Sequence, residues 1–163
     1  MDINNVVKEI ESSEVFRSID PEHYLVHIFR MMDANSVEEC QVGYYNVKSD
    51  KIVVFDYIKG KITINSPQDA FKEKNYIEPL DLSKVKVSMD DALVLVNEVV
   101  KNNYPSQAMS KAILLLQKLP EYGQIWNVTI VTNSFNVINI KINAETSEIL
   151  HHGMESLLRW QSM

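Results

Sequence analysis

Histidine is the residue type in this chain whose spacing comes nearest to that of a metal site. His23 and His27 stand four residues apart in a stretch predicted to be helical, so both imidazoles would lie on one helix face. Such a pair could supply two of the ligands that Zn²⁺ or Cu²⁺ needs. A structural site needs two more, and the other histidines, His151 and His152, are distant in the sequence. The sequence therefore predicts solvated histidines, no metal site and no cofactor.

The single cysteine, Cys40, is the candidate nucleophile. It shares the apolar side of a predicted strand with Val42, and its neighbours Glu38 and Glu39 are acidic. A reactive thiolate needs a partly positive environment, whereas these carboxylates would raise the pKa of the thiol. We therefore expect Cys40 to be a buried core residue. Because one cysteine cannot form an internal disulfide, a reducing, cytoplasmic location is expected.

Two pairs of adjacent carboxylates, Asp90-Asp91 and Glu38-Glu39, are candidates for acid–base chemistry. Adjacent side chains point about 100° apart on a helix and to opposite faces of a strand, so neither pair converges on one atom. Asp90 and Asp91 instead suit the first turn of a helix, where the macrodipole favours anions. The four glycines form no phosphate-binding loop, and no Gly-x-Ser-x-Gly motif is present. We expect no catalytic residues and a protein that is not an enzyme.

Charge and hydropathy argue against nucleic-acid and membrane binding. The chain has 16 basic and 22 acidic side chains, a net charge of −6, and its lysines between positions 48 and 74 are interleaved with Asp and Glu. No basic patch is available for a phosphate backbone. No apolar run approaches the ~18 residues of a membrane helix, and the acidic N-terminus lacks the apolar core of a signal peptide.

The first half of the chain is predicted to contain helices followed by a hairpin. Apolar residues recur at helical spacing from Ile3 to Ile10, so residues 2–17 should be helical. Asp20-Pro21 would cap and begin a second helix over 21–33.

From Glu38 the apolar period changes to two. This predicts strands around Val42, Phe55 and Ile62, the last over 61–65. The charged segment 66–79 would connect the two halves.

The second half repeats this order. Ser88 would cap a helix, and strands should follow at 111–119, around Trp126, at 138–142 and at Ile149-Leu150. The tail, 155–160, should form a short amphipathic helix that packs back on the domain through Leu157, Leu158 and Trp160.

The strand regions of the two halves overlay without gaps. Val42 falls on Thr129, and Gly60 falls on Ser147. Sequence identity in this overlay is negligible, so a structural duplication and a chance match of two β patterns both stay open.

Residues 87–150 resemble a PepSY-like domain, the small helix-plus-sheet module of peptidase propeptides. The motifs are S-M-D-D-A-L-x-L-V at 88–96, W-N-V at 126–128 and I-N-A-E-T-S-E-I-L at 142–150. Ser147 stands where the family usually has Gly; if the position needs φ > 0, the serine costs on the order of 1 kcal/mol. The whole chain also resembles archaeal-type proteins with this domain. The resemblance implies a non-catalytic module, although most family members are secreted and this chain shows no export signal.

Together these patterns predict an α+β fold of antiparallel sheets with helices packed on one face, possibly two PepSY-like units in tandem. The expected domains are 1–79, with N-terminal helices and a hairpin, and 80–163, with a helix, a sheet and a short C-terminal helix. The expected core residues lie on the apolar side of their elements. They are Leu93, Val96, Val100, Trp126, Val128, Ile130, Ile138, Ile140 and Ile142.

Three functions remain open at this point: a protein-interaction or regulatory module, which includes a homodimer; a small-ligand carrier or sensor with a pocket between helices and sheet; and an enzyme of unknown type. The sequence favours the first. Tyr44, Tyr45 and Tyr57 cluster in the first sheet half, and tyrosine is enriched at interfaces, although an ordinary solvated sheet face has the same pattern. Four polar residues should share the non-core face of the second half: Asn127, Thr129, Asn139 and Lys141. Strands 61–65 and 111–119 are expected at the sheet edges, and the apolar 111–119 would need to be covered by the tail or by a second copy.

Overall fold

The structure is a computed structural model that describes residues 1–65, 67–69 and 77–158. Within these ranges the chain forms one sheet of nine strands, in which every pairing is antiparallel, together with three α-helices and a 3-10 turn. The elements in chain order are α1 (Ile3–Glu11), α2 (Glu14–Arg17), β1 (Tyr24–Met32), β2 (Glu39–Asn46), β3 (Lys51–Ile58), β4 (Lys61–Ile64), β5 (Gln68–Asp69), the 3-10 helix (Leu82–Lys84), α3 (Met89–Asn103), β6 (Met109–Leu119), β7 (Gly123–Thr132), β8 (Asn136–Asn143) and β9 (Ile149–Ser156).

The strand order joins the two halves of the chain in one sheet. It runs β4-β3-β2-β1-β6-β7-β8-β9, with the two-residue β5 also paired to β3. The join is the antiparallel pairing of β1 with β6, in register from His27 opposite Gln117 to Met32 opposite Ala112. Each half thus contributes consecutive strands on its own side of this central pair.

The described helices pack on one face of the sheet, and the hydrophobic core lies between these helices and the sheet. α1 inserts Ile3, Val6, Val7 and Ile10, and the sheet supplies residues such as Ile28. Eight of the nine predicted core residues are buried, which confirms the assignment of strand faces in the second half. The ninth, Leu93, is partly buried at the margin of the core.

The predicted fold class, α+β with sheets in helix-packed units, is wrong. A single antiparallel sheet dominates the molecule, and the main cause is the stretch predicted as a helix over 21–33. It forms strand β1, which removes one helix and supplies the strand that joins both halves. Ile28 faces the core, whereas Phe29 faces the other side, so both faces of this strand carry apolar residues. A strand that is apolar on both faces lacks the alternation that identifies strands in a sequence.

The predicted position of 111–119 at an edge is also wrong. This segment lies in β6 and pairs with β1 on one side and β7 on the other. Its apolar composition is therefore explained by its central position rather than by a covering tail. The other expected edge, 61–65, is confirmed for the described strands, among which β4 stands at the end of the sheet order.

The sequence features at Ser88 and Ser147 have the structural roles expected of them. The Ser88 hydroxyl accepts a hydrogen bond from the Asp91 amide at 3.0 Å, as the predicted cap requires. The Trp126 Nε1 donates to the Val87 carbonyl at 2.9 Å and ties the start of this helix to β7. Ser147 has φ 69°, so the glycine position of the PepSY motif does have positive φ here.

Two predictions, for the connection between the halves and for the tail, fall partly outside the described residues. The connection over 66–79 lies mostly outside the described ranges. In the tail, Glu155 and Ser156 belong to β9, Leu157 is half-buried and Leu158 is 62% exposed. Trp160 falls outside the described residues. The domain division at 79 and 80 stays a prediction, as does independent folding of each part.

Candidate interaction surface

The sheet face opposite the described helices carries an apolar strip. It consists of Phe29 and Met31 on β1 and Leu115 and Ile113 on β6, which lie opposite each other in register. Alternation places them on the other side of the sheet from Ile28, Leu114 and Leu116, which belong to the core. Met31 is 41% exposed, and the other three are partly exposed. We call these four residues the apolar strip.

An amide network borders the apolar strip on the side of β7 and β8. The Asn139 Nδ2 donates to the Asn127 Oδ1 at 2.8 Å, and the Lys141 ammonium donates to the Asn139 Oδ1 at 2.7 Å. The Thr129 hydroxyl lies 3.5 Å from the same Asn139 Nδ2. These four side chains therefore share the face predicted from the sequence, which confirms that prediction. The network places the Lys141 ammonium beyond Asn127, two strands away from Leu115 of the strip.

An acidic group borders the strip on the other side. The Asp56 carboxylate accepts one hydrogen bond from the Gln41 Nε2 and another from the Asn65 Nδ2, each at 2.8 Å. Gln41 pairs with Phe29 of the strip across β1 and β2. The face therefore has an apolar centre, a positive side at Lys141 and a negative side at Asp56.

His27 lies on the same face and is enclosed. Its imidazole occupies the space beside Gly43, where a Cβ would lie 2.6 Å from both the Nδ1 and the Nε2. Burial lowers the pKa of His27, so the imidazole is neutral at pH 7. Gly43 is thus required for close approach, and His27 adds an uncharged ring next to the strip.

The candidate metal pair is not assembled. His23 precedes β1 and its Nδ1 contacts the Asp20 carbonyl at 2.7 Å, whereas His27 is within the strand, where four residues span roughly 13 Å. His151 and His152 lie on β9 and point to opposite faces. The described ranges contain no group of three or more His, Cys, Asp or Glu placed to hold a metal ion.

Cys40 is a core residue, as predicted. It is 3% exposed, and its pKa is raised to about 11, chiefly by burial; the nearby Arg30 acts in the opposite direction and Glu38 adds to the rise. Burial is thus the larger cause, and the flanking carboxylates emphasised by the sequence argument are secondary. The protonated thiol is a poor nucleophile.

The carboxylate pairs serve structure. Asp90 lies 3.9 Å from the N-terminal amine, and Asp91 contributes its amide to the Ser88 cap, so both belong to the first turn of α3 as predicted. Glu39 begins β2 and Glu38 precedes it.

The three clustered tyrosines do not form a partner surface. Tyr44, Tyr45 and Tyr57 are 1%, 0% and 6% exposed, so they are unavailable to another molecule. Tyr57 donates to the Glu9 carboxylate at 2.5 Å, and this hydrogen bond together with burial raises its pKa to about 12. Tyr44 donates to Glu11 at 3.2 Å, and burial raises its pKa. These bonds attach α1 to the sheet, a role that the sequence argument missed.

A shallow depression beside the N-terminus of α3 has a volume of about 430 Å³ and is open to solvent. Its lining mixes Lys86, Asp91, Leu95 and Glu145, and it lies at the surface. The layer between helices and sheet, where a ligand pocket was considered, is occupied by core side chains such as Ile10, Val96 and Trp126.

The apolar strip was not found in the sequence. Its residues lie in the two stretches whose structure or position was misassigned, 21–33 and 111–119. The available signal was the continuous apolar run over 112–116 in one stretch and the adjacent apolar pairs Ile28-Phe29 and Met31-Met32 in the other, because apolar residues on both faces are typical of a central strand.

Comparison with known proteins supports the fold and goes no further. No family model matches the chain, and no curated protein matches it. The crystal structure of a "putative lipoprotein" from Clostridium difficile 630 has a similar fold, with a TM-score of 0.62, 10% sequence identity, and coverage of 95% of this chain and 93% of that one. The resemblance to the PepSY module remains a prediction. None of the described helices has the length and apolar character needed to cross a bilayer.

Proposed function

We propose that this protein is a non-catalytic interaction module that binds another protein on the sheet face that carries none of the described helices, which we call the helix-free face. The observation that carries the proposal is the apolar strip, which lies partly exposed between the network at Lys141 and the acidic group at Asp56. Interfaces commonly combine an apolar centre with a polar rim, and this face has that arrangement.

The shape of the surface favours a protein over a small molecule. The strip extends across two adjacent strands of a sheet, whereas small ligands are held in concave sites that enclose most of their surface. The open depression at α3 does not provide such a site. A ligand-binding role remains an alternative without a specific observation in its favour.

The positions of the candidate reactive groups support a non-enzymatic role. Cys40 is buried and protonated, and His27 is enclosed beside Gly43. His152 is hydrogen-bonded to Tyr104 at 2.8 Å, on the face opposite His151. An enzyme would bring such groups to one reacting atom.

We also propose a reducing, cytoplasmic location, which the single buried Cys40 supports. Cell fractionation with an antibody against the protein tests this. Recovery in the membrane or secreted fraction would contradict it.

Capture from native cell extract tests the binding surface. Met31→Lys places a charge in the apolar strip, and Val94→Lys places the same charge at a 56% exposed position on α3. We expect a captured protein whose recovery falls about tenfold with Met31→Lys, a change of roughly 1.4 kcal/mol, and is unaffected by Val94→Lys. Equal recovery with both variants would contradict the proposal.

A further inference from the structure

The strand β9 ends the sheet and has features of a pairing edge. It has eight residues, and within the described part of the chain it pairs with β8 alone. Lys and Pro commonly protect such edges, and its sequence, ILHHGMES, contains neither; its one charged residue is Glu155, and its register shift lies near its start, between Ile149 and His151. The opposite edge, β4, has four residues and begins at Lys61 after Lys59. The two edges therefore differ in their capacity to accept another strand.

The hydrogen-bond phase of β9 shows which backbone groups point outward. The Leu157 amide donates to the Phe135 carbonyl at 2.8 Å, in line with the register that pairs Asn139 with Gly153. Bonded and non-bonded pairs alternate in an antiparallel ladder, so Gly153 bonds to β8, as do His151 and Glu155; the register shift between His151 and Ile149 ends this alternation. On the other side of β8, the Ala144 amide bonds to Gln124 at 2.9 Å, which agrees with this phase.

His152 and Met154 consequently direct their backbone N–H and C=O groups away from β8. A strand added at this edge must bond to these groups. We propose that the added strand is β9 of a second copy of this chain, antiparallel to the first, with the two-fold axis at Gly153. His152 of each copy then lies opposite Met154 of the other, and each such pair exchanges both backbone hydrogen bonds.

The side chains fit this register. Met154 is 42% exposed and lies on the helix-bearing face with His152. His152 is held by the Tyr104 hydroxyl and packs edge-to-face on the Tyr104 ring, with 5.7 Å between centroids. The pairing places the Met154 thioether of one copy beside this aromatic pair of the other, a favourable contact that removes Met154 from water.

The side chains on the other sheet face also fit an axis at Gly153, whereas an axis at His152 gives less favourable side-chain pairs. With Gly153 on the axis, His151 of one copy lies opposite Glu155 of the other. Moving the axis to His152 would place two His152 rings against each other and Glu155 opposite the apolar Ile149. Odd shifts are excluded, because they pair an outward-bonding residue with an inward-bonding one.

A two-fold pairing of β9 closes the assembly as a dimer. Each copy uses its one β9 edge, and the short β4 edge remains at each end of the joined sheet. The apolar strip lies on central strands and is left free, so this dimer and the proposed partner binding are independent.

Gly153→Cys tests the axis directly. Gly153 pairs with itself at a non-bonded position, where Cα atoms are about 4.5 Å apart, within the range of a disulfide. A side chain is tolerated there, because a Cβ would lie 3.5 Å from the nearest His151 atom. We expect Gly153→Cys to form a disulfide-linked dimer without reductant. His151→Cys, two residues away on the same face, should not, and the buried Cys40 leaves the wild type unlinked.

Met154→Pro tests the backbone pairing. It removes an outward N–H and leaves the bonds to β8 in place, as proline does at the open side of an edge strand. In sedimentation equilibrium we expect the wild type and Met154→Thr at twice the 18.8 kDa of one chain, and folded Met154→Pro at 18.8 kDa. A monomeric wild type, a dimer that Met154→Pro leaves intact, or a Gly153→Cys variant that stays unlinked would each overturn the proposal.

Discussion

The imidazole of His27 and the backbone of Gly43 depend on each other. The ring fills the space that any side chain at position 43 would need, and burial keeps the ring neutral. At the scale of residues, this pair shows how the helix-free face gains an uncharged, closely packed region next to the apolar strip. A histidine that is exposed on a helix, as the sequence suggested, would have no such effect.

Acidification should therefore destabilise the protein through His27. Its pKa in the folded state lies below the unfolded value of 6.5, so the unfolded chain binds the proton first as pH falls. The free energy of unfolding should decrease as pH drops below 6.5, and this contribution should level off below the folded pKa. Urea unfolding between pH 7.5 and 5 measures it. His27→Phe keeps a ring beside Gly43 without a titrating group and should flatten the profile; an unchanged slope would contradict this role.

Ser147 adopts a backbone conformation that favours glycine. With φ 69°, Ser147→Gly should raise the free energy of unfolding by about 1 kcal/mol. Ser134→Gly is a matched control at an exposed turn residue without positive φ, where glycine should be neutral or destabilising. Thermal unfolding of both variants compares them. Destabilisation by Ser147→Gly would contradict this, because it would mean that the serine side chain stabilises the fold by more than its backbone strain costs.

At the scale of elements, the sequence identified the strands with one polar face and misassigned those with two apolar faces. β7 and β8 alternate clearly, as Trp126 and Val128 against Asn127 and Thr129 show, and their burial follows that pattern. β1 has Ile28 and Phe29 side by side, one on each face, so periodicity gave no strand signal there. The candidate surface could not be predicted, because it depends on the pairing of β1 with β6, which are distant in the sequence.

Two isoleucine-to-alanine changes test the assignment of sheet faces. Ile140 is fully buried beneath the helices, whereas Ile113 lies partly exposed in the apolar strip. Ile140→Ala should cost ~2–5 kcal/mol of unfolding free energy, and Ile113→Ala clearly less, because its side chain is already partly exposed. Urea unfolding gives both values. Equal losses would mean that the strip is as buried as the core.

As a whole, the described molecule is one antiparallel sheet with two unlike faces. The helices and the core occupy one face, and the apolar strip with its polar borders occupies the other. The shared fold of the Clostridium difficile protein at 10% identity indicates that this architecture tolerates extensive sequence change. The proposed function depends on the second face, and the proposed dimer depends on the β9 edge, so each can fail alone.

Site-specific photocrosslinking tests whether another protein binds on the helix-free face. p-Benzoylphenylalanine replaces Met31 in the strip or, as a control, Val94 on the outer side of α3; both positions are exposed. After irradiation in living cells, we predict a discrete product with another protein from position 31 and none from position 94. Pairing of two copies through β9 would leave position 31 without product, because that position lies on a central strand. Products from position 94 alone, or equal products from both positions, would contradict binding on the helix-free face.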